Sequence, residues 1–210
     1  MFTLDACEYP SCRKTALSQF DEYGNIINED GYCLEHIPDM QQATYSICEY
    51  IRTHDKIVGL CAAGIHFADM DFTNKKFYGC NFQHCTFTNV HSEHCRVRMS
   101  FFDFSVFSDS NLLASNMQFA SFAGATFSHV LFTNSDLVQN NFEGLHSHQS
   151  SFDDSDLYNS RFIRSHLVQT SFRNCNIKKT SFLETYQENV SFKLSNTREA
   201  IFSTTPQEDI

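Results

Sequence analysis

From Phe67 onward a large apolar residue recurs at every fifth position. Stepping by five from Phe67 to Phe202 gives 28 positions, of which 24 are apolar and 17 are Phe. A second column lies two residues earlier, from Ile65 to Ala200, and 23 of its 28 members are Ala, Ser, Cys, Thr or Val. Ile65, Met70, Lys75, Asn140 and Leu145 are the exceptions. Neither regular element buries such a pattern. A strand changes face at a step of five, and an α-helix rotates by about 140°, so each would turn half of the Phe residues to solvent. The period is satisfied by a chain that bends after every five residues around a four-sided coil, each side sending one large and one small side chain inward. Twenty residues make a coil, the 28 units make seven coils, and parallel strands about 4.8 Å apart make a rod of roughly 34 Å.

A twenty-residue coil predicts that residues twenty apart stack in columns. Phe82, Phe102, Phe122, Phe142, Phe162, Phe182 and Phe202 are one such column, all Phe. The frame runs from Ile65 to Phe202 without a slip, so no loop interrupts the rod. Cys80, Cys85, Cys95 and Cys175 fall in the small inward column and read as packing residues. The units Ser135-Asp136-Leu137, Ser155-Asp156-Leu157, Cys175-Asn176-Ile177 and Ala120-Ser121-Phe122 resemble the pentapeptide-repeat family, whose motif is a small residue, Asp or Asn, then Leu or Phe, then two variable residues. The resemblance covers about two thirds of the chain and implies a mainly β fold, a right-handed quadrilateral parallel β-helix. It implies no single function. Ser92, Ser147, Gln187 and Thr197 at the central position depart from the motif, and the last two predict looser final coils.

Residues ahead of Ile65 do not show the Phe period. There the cysteines take another arrangement, Cys7-x4-Cys12, then twenty residues, then Cys33-x2-His36. Three thiolates and an imidazole on two turns, separated by a loop containing Gly24 and Gly31, match a tetrahedral structural zinc site. With four protein ligands the site is closed, so its expected role is to hold a small loop-rich segment together. The segment resembles zinc knuckles found ahead of some nuclease and other small modules. Pro38-Asp39 starts a helix over residues 39–54, with Ala43, Ile47 and Ile51 at helical spacing on one face. Such a helix caps the open edge of the first coil, and Cys48 and Cys61 read as helix or junction residues. The expected organisation is a zinc-knuckle-like module over 1–38, a capping helix and junction over 39–63, the β-helix over 64–203 and a tail over 204–210.

Composition narrows the function. Of 210 residues 41% are hydrophobic and 19% charged, as in an ordinary globular protein, and 25 acids against 15 Lys and Arg give a net charge of −10. This balance argues against direct nucleic-acid binding. No secretory leader is visible in the first twenty residues and no apolar run approaches a membrane span, so the expected compartment is the cytoplasm, with thiols reduced and no membrane partner. Charge is banded along the rod. Met99 to Ser160 holds no Lys or Arg but has Asp103, Asp109, Asp136, Glu143, Asp153, Asp154 and Asp156, while seven bases outnumber three acids from Arg161 to Ala200. Phe101, Phe104 and Val106 take outward positions beside Asp103 and form a candidate apolar docking patch.

His146 and His166 stack one coil apart, and His91, Glu93 and His94 cluster, yet neither group has a third organised ligand. No phosphate loop, nucleophile elbow or His-Glu-x-x-His pair is present, so an enzyme is not expected. Two readings follow. One is a rigid protein-interaction scaffold for an unidentified protein partner. The other, from the resemblance, is a DNA mimic that binds a type II topoisomerase, DNA gyrase or topoisomerase IV, through the acidic rod (Asp153, Asp154, Asp156), with inhibition or quinolone protection as the effect. The short segment after the last coil is a thin cover for an open end, which predicts an end-to-end homodimer.

Overall fold

In a computed structural model, which describes residues 5–202, the chain winds into a solenoid of parallel strands in a twenty-residue register. Four ladders run its length. The first side begins at β3 (Lys56–Val58), passes through residues 76, 96 and 116 as a four-stranded sheet, and continues by single bridges through Asp136 and Asp156 to Asn176. The second is mostly single bridges from Cys61 to Arg161, ending with Ser181–Phe182 on Ile201–Phe202. The third is a seven-stranded sheet from His66–Ala68 to Tyr186–Glu188, and the fourth a row of bridges from Asp71 to Ser191. Four ladders in one register are the four sides of the predicted coil, stacked about seven deep.

The solenoid begins earlier than the Phe pattern shows. Ile57 and Ala62 occupy the central column and Leu60 the small column, all fully buried, so residues from Lys56 onward, expected as junction, form part of the first coil. Ala62 at a position elsewhere held by Phe hides the frame.

The corners explain the five-residue step. Every residue two places after a central one, from Gly59 to Leu194, has a φ in the left-handed region, and most of these are not glycine. A left-handed residue bends the chain sharply within a single position, at a cost of about 1–2 kcal/mol for an ordinary L-residue. The buried centre offsets it. Phe82, Phe102, Phe122, Phe142, Phe162, Phe182 and Phe202 stack with centroids 4.6–5.2 Å apart and planes within 14° of parallel. A second stack of Phe132, Phe152, Phe172 and Phe192 meets the first edge-on, as Phe162 and Phe172 do at 5.2 Å and 88°.

The small inward column does more than fill space. Ser160 Oγ accepts from the Asn140 amide at 2.9 Å and donates to the Leu137 carbonyl at 2.8 Å, closing a corner of the preceding coil. Ser155 does the same with Ser135 and Phe132, at 3.0 and 2.9 Å. Asn140 uses its amide, accepting from the Ala120 amide at 2.9 Å and donating to the Met117 carbonyl at 2.8 Å. The inward cysteines follow the hydroxyls, with the Cys85 and Cys175 thiols each 3.0 Å from a carbonyl of the previous coil. Burial pushes the Cys80, Cys95 and Cys175 thiols up to about 12 and Cys85 higher, so all four stay protonated and available as donors.

Over the first coil lies α1 (Met40–Thr53), whose Asp39 side chain accepts from the Gln42 amide at 2.8 Å as an N-cap. Ile47 and Ile51 are fully buried in the cluster that contains Ile57 and Leu60, so the helix shields the end of the apolar column. Its last carbonyls are held by the rod. Lys75 Nζ donates to the carbonyls of Arg52 at 2.9 Å and His54 at 3.0 Å, with Asp55 at 3.6 Å. This accounts for a lysine in the small inward column: it joins cap to coil.

Candidate metal centre and interaction surface

Two tight turns present the Cys and His side chains. Antiparallel pairing of Ala6 with Thr15 and a 2.8 Å bond from the Cys7 amide to the Lys14 carbonyl fold residues 7–12 back on themselves, and the Cys12 amide closes the turn on Tyr9. The Cys33 carbonyl accepts from the amides of His36 and Ile37, both at 3.0 Å, which turns the imidazole toward the thiols. Between the turns, β1 (Gln19–Phe20) pairs antiparallel with β2 (Ile26–Ile27), and Asp21 holds the loop by accepting from the amides of Tyr23 and Asn25.

These turns bring Cys7, Cys12, Cys33 and His36 together with their ligand atoms all within 4.8 Å of one another, so the cluster could bind a metal ion. Three of the six pairs lie near the spacing an ion would set. Tetrahedral coordination with metal–sulfur bonds of about 2.3 Å and metal–nitrogen of about 2.0 Å separates two sulfurs by about 3.8 Å, and sulfur from nitrogen by about 3.5 Å. The structure has 3.9 Å between the sulfurs of Cys12 and Cys33, and 3.5 and 3.3 Å from Cys7 and Cys33 to His36 Nδ1. Among the described residues this is the one such group of three or more His, Cys, Asp and Glu side chains.

The surroundings tune the donors. Desolvation raises the Cys7 thiol, but hydrogen bonds from the backbone of Cys33 and Tyr9 and from the His36 and Cys33 side chains outweigh it and bring the thiol down to about 6. Burial pushes Cys33 up. Tyr9 stacks on His36 with centroids 3.9 Å apart and planes 6° from parallel, fixing the ring, and Lys14 pairs with Glu35 across the two turns. The spacing of the ligands in sequence gives no hint of either contact. The module is tied to the first coil by two bonds between Ser18 and Cys61, and by Asn28 Nδ2 on the Gly59 carbonyl at 2.9 Å.

The outward residues divide differently from the sequence expectation. Phe101, Phe104 and Val106 are exposed, at 41%, 58% and 37%. Phe104 occupies a left-handed corner, stacks on His84 at 5.3 Å, and lies over Gly124, where a Cβ would come within 2.7 Å of its ring. The patch thus has a floor that only glycine provides. Asp103, however, accepts from Gln83, from the Ser121 hydroxyl and from the Ala123 amide, tying three coils together. Asp153 accepts from the Ser171 hydroxyl and the Arg173 amide, Asp154 from Asn174 Nδ2, and Asp156 from the Tyr158 amide and Asn176 Nδ2. These carboxylates stitch coils to one another as well as charging the surface. His146 and His166 stack at 5.9 Å as expected, and His91 lies 3.9 Å from Glu93.

Fold and repeat together define a parallel β-solenoid built of five-residue units. Residues 125–202 match the family model described as the pentapeptide repeat region, and the same twenty-residue register continues unbroken back to Lys56. No curated protein matches it. Among solved structures it is similar to the pentapeptide repeat protein Rfr23 from the cyanobacterium Cyanothece, with 10% identity, 74% of this chain and 96% of that one covered, and a TM-score of 0.43. It is also similar to trypsin-treated QnrB1, a plasmid-mediated fluoroquinolone resistance protein, with 17% identity, 71% and 82% covered, and a TM-score of 0.45. HetL, a pentapeptide repeat protein involved in heterocyst differentiation regulation from the cyanobacterium Nostoc, shares 10% identity over 78% of this chain and 97% of that one, at a TM-score of 0.27.

Proposed function

We propose that the protein is a non-enzymatic interaction scaffold, a rigid rod that presents fixed columns of side chains, with an amino-terminal module held by structural zinc. The observation that carries the reading is the apolar patch of Phe101, Phe104 and Val106, exposed on a solenoid whose other large residues mostly point inward. A parallel ladder cannot relax around such residues, so their exposure is set by the register. Zinc is the ion favoured by three thiolates and an imidazole in tetrahedral spacing. Four protein ligands leave no open coordination position, which makes its contribution structural. The test is a partner search by proximity cross-linking with wild type and with Phe101→Ser/Phe104→Ser. Partners captured equally by both would remove the patch from the proposal.

A second reading, binding to a type II topoisomerase, draws support from the acid-rich coils carrying Asp103, Asp153, Asp154 and Asp156. A DNA gyrase supercoiling assay, with and without a quinolone, tests it using Asp153→Lys/Asp154→Lys. An effect of wild type that the variant lacks supports topoisomerase binding, and no effect at tens of micromolar removes it.

A further inference from the structure

The first side of the solenoid is charged in a way that its own coils do not neutralise. Lys56, Lys76 and Arg96 stand in direct register on three successive rungs, all exposed. None of them has an ion pair among the described residues. Lys56 has only the Tyr78 ring, 5.9 Å away. At the rung spacing of about 4.8 Å, three stacked cations repel one another. The same column then passes through Asn116 to Asp136, Asp156 and Asn176. Seven rungs thus read cation, cation, cation, amide, carboxylate, carboxylate, amide.

That order is self-complementary. A two-fold axis parallel to the strands at the Asn116 rung reverses the rod direction and sets each rung against its mirror position. Arg96 then faces the partner's Asp136, Lys76 the partner's Asp156, and Lys56 the partner's Asn176. In the neighbouring column Tyr78 meets the partner's Tyr158, and Arg98 meets the partner's Val138. No like charges oppose. At the flanking corner the exposed Phe119 meets its own copy at the dyad, with Met99 beside it. The parallel arrangement, by contrast, would set cationic rungs on cationic rungs. Asp136 keeps capacity for the contact, because Asn116 and Gln118 both donate to Oδ2 while Oδ1 has only an amide 3.5 Å away.

We propose that this side is an isologous, antiparallel interface between two copies of the chain, the charge column of one pairing with that of the other. A face roughly 34 Å long and about 12 Å wide buries about 800 Å² in all, below the roughly 1,200 Å² of a stable complex, so the dimer is weak and salt-dependent. A dissociation constant of about ten to a hundred micromolar in low salt is expected for an interface of this class.

The test is sedimentation velocity of the full chain over a concentration series at about 50 mM and about 500 mM salt, chosen to bracket effective screening. Lys76→Glu/Arg96→Glu and Asp136→Lys/Asp156→Lys are compared with wild type, each first shown by circular dichroism to keep the wild-type strand signal. The expected result is a dimer of wild type at low salt, lost at high salt, with each variant monomeric alone and an equimolar mixture of the two variants dimeric. Wild type that stays monomeric at low salt overturns the proposal. So does a dimer that survives in Lys76→Glu/Arg96→Glu, which would place the contact elsewhere, as at the carboxyl end. Should Asp136→Lys/Asp156→Lys lose its fold, the lysine-to-glutamate variant and the salt series decide between the same outcomes.

Discussion

Replacing Ser160 with Ala removes one oxygen atom and should cost about 2 kcal/mol of stability. The hydroxyl is fully buried and serves two backbone groups of the coil before it, the Asn140 amide at 2.9 Å and the Leu137 carbonyl at 2.8 Å. An unpaired buried polar group costs about 1–3 kcal/mol, so two orphans set an upper limit of about 6 kcal/mol. The corner can recover part of this. At other corners the amide bonds directly to the carbonyl three residues back, as Ser160 itself does to Leu157 at 3.0 Å, and the Leu137–Asn140 corner can tighten in the same way. One bond regained in poorer geometry leaves about 2 kcal/mol. Thr180 donates to the Leu157 carbonyl from the equivalent position, so Ser160→Thr should retain most of the stability. Ser195 makes the same pair of bonds, 2.8 Å from the Cys175 amide and 2.6 Å from the Phe172 carbonyl, but it is only part-buried near the end of the rod. Water can replace its hydroxyl, and Ser195→Ala should cost less than about 1 kcal/mol. Guanidinium unfolding followed by circular dichroism measures all three variants, and amide exchange at Asn140 reports the local opening. A Ser160→Ala midpoint equal to that of Ser195→Ala would refute the argument that the inward hydroxyl closes the corner.

Three further outcomes follow from other sites. Ser92 sits at a central position with no hydrogen bond to its buried hydroxyl, beside a cavity of about 20 Å³ lined by Phe72, Phe77, Cys95 and Phe102, so Ser92→Ala should stabilise the fold by about 1 kcal/mol, read as a higher unfolding midpoint. Ala114 holds a left-handed corner at φ 47°, and Ala114→Gly should be neutral to stabilising by about 1 kcal/mol, whereas a Gly substitution within a normal strand destabilises, as thermal unfolding would show. Removal of bound metal with a chelator should release about one zinc per chain by atomic absorption and loosen residues 5–37 in hydrogen exchange, while protection in the solenoid beyond the second coil stays unchanged.

The repeat was legible because burial and register share one period. A step of five fits no helix or strand, and the stack of Phe82 to Phe202 appears in the structure as parallel rings about 5 Å apart. The Cys and His cluster was legible for a related reason, since Cys and His at short spacing have few other uses together, and the structure brings Cys7, Cys12, Cys33 and His36 within 4.8 Å of one another. The start of the rod was not, because Ala62 and Ile57 are apolar residues without the Phe signature, and only their pairing one coil ahead reveals the frame. The dual nature of the acids was also hidden. An Asp at an outward position reads as surface charge, yet Asp103 and Asp153 each accept from a hydroxyl and an amide of the next coil. Sequence gives a carboxylate its sign, whereas its work is decided by the register.

That distinction bears on how charge on this rod can be used. Carboxylates that already accept two or three internal bonds are held in fixed positions, so they present a rigid charge pattern and lose little side-chain freedom when a partner arrives. Lys56, Lys76 and Arg96 are the opposite case, long exposed side chains with no ion pair among the described residues, free to reach toward an incoming carboxylate. A partner with ordered acids opposite those bases would give up flexibility on one side of the contact only. The first side of a second copy carries that pattern at the same rung spacing, with Asp136 and Asp156 already tied by Asn116, Gln118 and Asn176. Freeing the acids tests this directly. Asn116→Ala/Gln118→Ala leaves every charge in place but unties Asp136, and it should weaken the dimer about two- to fivefold, an ordering cost of roughly 0.5–1 kcal/mol. An unchanged dissociation constant in sedimentation would show that the fixed geometry of the carboxylates plays no part in the contact.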